Sequence, residues 1–134
     1  MKINSRVEFK WNGPEVKVRG KKVVNRSVLG TALIIEGQAI QLCPVKTGRL
    51  RGSITIATKG QAGGAGIGNA PLTPPIEEGV AHVGTAVEYG PYVEFGVYGR
   101  PGQPFLRPAL DLAKGRELTL IRKNGKAIFG DYLK

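Results

Sequence analysis

The chain is poor in the residue types that most chemistry needs. Its 134 residues include one cysteine, Cys43, and one histidine, His82. A lone cysteine closes no intramolecular disulfide, and a soft-ligand metal site has no second ligand within reach in sequence. Cys43, in an apolar run at a helix end, reads as a buried small hydrophobe and His82 as a half-exposed sheet residue, so a Cys/His nucleophile pair is not assigned. The carboxylates Glu77, Glu78, Glu88, Glu94 and Asp111 fall at no spacing typical of a metal site or an acid/base pair. No catalytic, cofactor-binding or metal-ligating residue is therefore assigned, and no enzymatic activity is expected. Long apolar runs are missing too: nothing approaches the roughly 20 residues of a membrane-spanning helix. The opening MKINSRVEF lacks the apolar core of a signal peptide. A soluble protein made in a cytoplasm, with no membrane partner, is the expectation.

Acidic residues are scarce as well. Ten Asp and Glu stand against 20 Lys and Arg, a net charge of +10. Such an excess favours contact with a polyanion or an acidic protein, without choosing between them. Basic residues crowd the start, recur near the end, and cluster at Lys46, Arg49 and Arg51. That last cluster lies in CPVKTGRLRGSI (43–54), where the Lys-Thr pair has no preceding G-x-x-x-x-G and so makes no P-loop. The glycine run GGAGIGNA (63–70) fails as a dinucleotide loop, because it leads into Pro71, Pro74 and Pro75 instead of a helix.

A chain of this length fits a single domain, 1–134. Residues 1–11 alternate weakly and read as a short strand or an extended arm. A long helix over 14–43 is predicted from Pro14 in its first turn, Pro44 after its end, and an apolar stripe of Val24, Val28, Ala32, Ile35, Ala39 and Leu42 widened by Leu29, Leu33 and Ile40. Glycines inside that pattern point to close packing against a neighbour. Alternation rich in β-branched residues predicts strands over 50–58 and 80–88, joined by a Gly/Pro-rich mobile loop, 59–79. A second helix follows over 104–121, with a tail over 122–134; Asn124-Gly125 makes a hairpin from Leu118 to Phe129 the competing reading. The fold class is α+β: two helices on one face of a small antiparallel sheet.

The most informative stretch is VEYGPYVEFGVYG (87–99). Tyr89, Tyr92, Phe95 and Tyr98 recur every three residues, a spacing that lines one side of a short helical turn. Two readings stand: a turn closing the core, or an interface between subunits or with a partner, where aromatic residues are enriched. Glu94, beside them, has Arg49, Arg51 and Arg107 as candidate ion partners.

Three blocks taken together resemble a family. CPVKTGRLRGSI, then VGTAVEYGPYVEFG, then RPGQPFLRPAL are similar to the pattern of small virion proteins of long-tailed bacteriophages, variously called head-tail joining, neck, tail-completion or minor tail proteins. The matching residues are Pro44, Val45, Thr47, Gly48, Leu50, Arg51, Ser53 and Ile54 in the first block. Val83, Gly84, Thr85, Tyr89, Tyr92, Glu94, Phe95 and Gly96 match in the second, and Pro104, Phe105, Leu106, Pro108 and Ala109 in the third. The chain departs from the pattern at Gly90, where alanine is usual, and in its long Gly/Pro loop. The resemblance implies an α+β body without enzymatic activity or cofactor, located in the virion at the head-tail junction. It implies a homo-oligomeric ring, six copies being one candidate number, contacting neighbouring neck and tail-tube or tail-terminator proteins around the channel through which DNA leaves. On that reading Tyr89, Tyr92, Glu94, Phe95 and Tyr98 form the interface, and Lys46, Arg49 and Arg51 a basic patch. A small basic module that binds DNA without regard to sequence is the alternative.

Overall fold

The structure, a computed structural model, describes residues 13–46, 48–64 and 71–130. The arm expected over 1–11 lies outside the described residues, as do Thr47, 65–70 and 131–134.

Helix α1, Gly13–Leu42, has Pro14 in its first turn and stops short of Pro44, whose ring and missing N–H exclude another turn. Its buried line is Val23, Ser27, Ala32 and Ala39, continued by Cys43. The expected stripe is used only in part, since Val24, Leu29, Leu33 and Leu42 are exposed. Small side chains occupy the buried line because two further helices, α4 (Leu106–Ala113) and α5 (Arg116–Phe129), lie close along α1. Leu120 of α5 sits against Gly30, where an added Cβ would come within 3.1 Å of it. That glycine therefore does pack against a neighbour, whereas Gly20 and Gly37 meet nothing.

Polar groups fix the sense of the pair. Asn124 Nδ2 donates to the buried Ser27 Oγ at 3.0 Å, and Arg19 Nη1 donates to the Ile128 carbonyl at 3.2 Å. With Leu120 beside Gly30, residue numbers rise along α5 as they fall along α1, so the two helices are antiparallel. The expected single helix over 104–121, with a tail after it, is thus two helices. They break at Lys114 and Gly115, the latter at φ 86, a left-handed conformation that glycine adopts without steric cost. Helix α5 then runs straight through Asn124-Gly125. Interhelical packing overrides the local turn preference there, and the Asn124 amide finds its partner on α1 instead of in a hairpin.

Helix α1 also packs on a two-stranded antiparallel ribbon, β1 (Thr55–Thr58) with β2 (Ala81–Gly84), in the register Thr55↔Gly84 to Thr58↔Ala81. Both strands are shorter than the expected 50–58 and 80–88. Arg49–Gly52 forms a helical turn, α2, in place of the start of a strand. The Ser53 hydroxyl donates to the Leu50 carbonyl at 2.6 Å and pairs with the Thr85 hydroxyl, while Val87 N–H donates to Thr85 Oγ1 at 3.0 Å. These local bonds compete with the strand ladder and end it at both places. They also bring Leu50 and Val87 into one core with Ala39, Cys43, Ile54, Phe105 and Ala109, at the C-terminal end of α1. The described parts of 59–79 are tied down: Gly63 N–H donates to the Leu72 carbonyl at 3.1 Å and Gly64 N–H to Thr55 Oγ1 at 3.1 Å.

Gly125→Ala tests the helical assignment of the chain end. Within a helix interior, and with open space where the Cβ would lie, alanine is expected to raise the unfolding free energy by about 1 kcal/mol; an Asn-Gly turn would instead be destabilised by it. Urea unfolding of the two chains measures the sign.

Candidate functional site

Helix α3, Gly90–Phe95, opens with Pro91 in its first turn and ends at Gly96, φ 82. A six-residue helix has one inward side, and here Val93 and Glu94 take it, Val93 packing on the core. Tyr92 and Phe95 are left outward, 61% and 68% exposed. Tyr89 lies at the helix entrance with its edge in solvent. The expected line of four aromatics along one helical side is thereby shortened, because Tyr98 lies beyond α3. It stands at the tip of a tight hairpin made by β3 (Gly96–Val97) and β4 (Arg100–Pro101), fully exposed at 107%. At the base of this hairpin Gly96 and Gly102 meet backbone to backbone. A Cβ on Gly96 would fall 2.5 Å from the Gly102 nitrogen, so no side chain fits there.

The hairpin returns the chain to α3. Gln103 N–H donates to the Val93 carbonyl at 2.7 Å, and the start of α4 meets the Glu94 carboxylate. Phe105 N–H donates to Oε2 at 2.7 Å, Leu106 N–H to Oε2 at 2.9 Å, and Arg107 N–H to Oε1 at 3.0 Å. Pro108 has no N–H, so the orphan donors of the first turn are all answered by one side chain, at the end of the helix where its dipole favours negative charge. Of the three arginines considered as partners for Glu94, the structure brings up Arg107, whose Nε donates to Oε1 at 3.2 Å. The guanidinium also lies over the Phe95 ring, 4.8 Å from its centroid. Glu94 itself is 4% exposed and turned onto its own chain. Burial raises its pKa, but the backbone N–H groups and Arg107 outweigh burial and hold the carboxyl below its ordinary range.

Between α3, the hairpin and the corner after α1 lies a cleft of about 360 Å³. Tyr89, Tyr92, Val97 and Pro44 form apolar walls, and Lys46 and Arg100 stand in its lining. Lys46 thus joins the aromatic cluster, whereas Arg49 and Arg51 are exposed on either side of the buried Leu50 on α2. The methyl of Thr85 lies 2.7 Å from where a Cβ on Gly90 would be, so glycine lets α3 begin close against it. Arg100 and Val97 were not picked out from the sequence; the Tyr98-Gly99 step between them is the turn signal from which their hairpin follows.

The two residues with nucleophile or base chemistry do not meet. Cys43 is buried in the core, where burial pushes its thiol up and Arg51 pulls it back in part. His82 is exposed on β2 and donates from Nδ1 to the Thr73 carbonyl at 2.9 Å. Among the described residues no group of His, Cys, Asp and Glu is arranged to hold a metal ion, and no helix is long and apolar enough to cross a membrane.

A family model named HK97-gp10_like and described as "Bacteriophage HK97-gp10, putative tail-component" matches residues 14–96, more than half of the chain. The match takes in α1, the corner, the ribbon and α3. No curated protein and no solved structure matches the chain.

The Glu94 contacts give a prediction for stability. Glu94→Ala leaves the start of α4 without its acceptors and is expected to cost about 3 kcal/mol, with a smaller loss for Glu94→Gln, which retains one acceptor oxygen. Because the folded pKa lies below the unfolded one, the contribution is complete above the unfolded value, about 4.3 for a glutamate. It is lost as pH falls through the folded value. Denaturant unfolding at stepped pH is expected to show this acid-dependent part in the parent chain and not in Glu94→Gln.

Proposed function

The chain belongs to the HK97-gp10-like family of bacteriophage tail components, and on that premise we propose that it works at the head-tail junction as one subunit of a ring. The family is a structural one, which makes the chain a viral structural protein that contacts other tail proteins. The finer reading is a tail-completion or neck protein whose copies surround the channel through which DNA leaves, contacting neck and tail-tube or tail-terminator neighbours.

One observation carries this reading: the exposed row of Tyr92, Phe95 and Tyr98 on a short helix and hairpin whose base is held rigidly by Glu94. Aromatic side chains on a fixed support, beside an apolar cleft, have the character of an anchoring patch for protein association. Tyr89 lines that cleft, and Glu94 serves the patch from beneath by holding its base. The excess of positive charge, with Lys46, Arg49 and Arg51 on the corner, suits a wall that passes DNA by phosphate attraction alone. It suits equally well a seat on an acidic neighbouring ring.

Tyr92→Ala and Tyr98→Ala test the reading. Both positions are exposed, so stability should stay within about 0.5 kcal/mol of the parent, while truncation of an anchoring aromatic costs about 2 kcal/mol of docking. In a phage whose own copy of the gene is removed, these variants are expected to complement poorly, with separate heads and tails accumulating under the electron microscope. Normal infectious particles from both variants would remove the assignment of this patch to assembly.

A further inference from the structure

Two unlike features stand at opposite ends of α1, and their chemistry is complementary. Near Val24, the segment 74–79 presents Ile76, which is 90% exposed. Pro75 before it is buried, and Gly79 after it lies against Val24, so the segment is held at both sides while Ile76 projects. Glu77 and Glu78 follow, the only adjacent acidic pair in a chain of net charge +10. Glu78 is shared between Lys21 at 3.6 Å and Lys59 at 3.7 Å, whereas Glu77 makes no ion pair among the described residues.

At the other end, just past Leu42, lies the cleft walled by Tyr89 and Tyr92. Its two cations, Lys46 and Arg100, likewise make no ion pair among the described residues. About twenty residues of helix separate Val24 from Pro44, or roughly 30 Å at about 1.5 Å per residue. The projecting isoleucine therefore does not reach the cleft of its own chain.

We infer that the cleft receives a second copy of this chain, with Ile76 of one copy seated between Tyr89 and Tyr92 of the next and Glu77 facing Lys46 and Arg100. The contact rests on the ring reading above and gives it a surface. Because the knob and the hole are different patches of the same molecule, the contact is heterologous, and its repetition closes into a ring when the rotation per copy permits. Two cations and one carboxylate, each without an ion pair among the described residues, set the register and disfavour the reverse pairing of cleft against cleft.

Sedimentation velocity on the full chain over a concentration series tests this. Lys46→Glu and Glu77→Lys are each expected to weaken self-association about tenfold, and the two combined in one chain to recover most of the loss, since opposite charges again face each other. A mixture of Ile76→Asp copies with Lys46→Glu/Tyr92→Ala copies is expected to stop at a heterodimer, because each partner retains only one of the two surfaces. Two results overturn the inference: a chain that stays monomeric at every concentration, or self-association that neither charge reversal alters. Either leaves the tail role standing, since that role is read from particle assembly and not from self-association.

Discussion

Between Pro104 and Pro108 the chain has only three backbone N–H groups, those of Phe105, Leu106 and Arg107, and all of them donate to the carboxylate of Glu94. That arrangement ties the last turn of α3 to the first turn of α4 across a hairpin. It also fixes Phe105, which is fully buried, at the centre of the core. Burying a carboxylate is costly unless its oxygens are answered, and here the answering groups would otherwise be orphans themselves. Each side of the contact satisfies the other, so loosening either one exposes unpaired polar groups on both. The outward aromatics Tyr92 and Phe95 inherit their positions from this contact, because they flank Glu94 on the same short helix.

Much of the architecture was legible in the chain. Pro14 and Pro44 bracket α1, and the β-branched alternations mark where β1 and β2 lie. The aromatic row was visible in its spacing, and its matched family pattern pointed to phage virion proteins, in keeping with the tail-component family that the chain matches. What the sequence hid were features that depend on tertiary contact. The buried line of α1 is set by the helices beside it, so Val23 and Ser27 are inside while the neighbouring Val24 and the larger Leu33 are outside. Asn124-Gly125 has the local chemistry of a turn, and only the hydrogen bond to Ser27 and the packing on α1 make it helical. Leu50 looked like the start of a strand, because nothing in its neighbourhood announces that Ser53 will bond its carbonyl.

The candidate site followed the same division. Tyr89, Tyr92, Phe95 and Tyr98 are all at the surface of α3 and its hairpin, and Lys46 lines the cleft with Tyr89 and Tyr92. Glu94 has the opposite disposition, and the reason is the flanking prolines at 104 and 108: they leave a short run of donors that only a nearby acid can satisfy. Ile76 is not legible in a segment that reads as a loop, since a single apolar residue among prolines and acids has no periodicity to betray it.

The contact of Gly96 with Gly102 separates what the hairpin must keep from what it is free to change. Below that contact the backbone is committed, because the two segments touch there and the chain passes directly into the Glu94 bonds. Above it, Tyr98 and Gly99 touch little else. The side chain at position 98 is therefore an exchangeable head on a fixed shank. Tyr98 can be exchanged with the folding of the body left untouched, whereas Gly99, at φ 78, keeps the left-handed conformation that turns the chain.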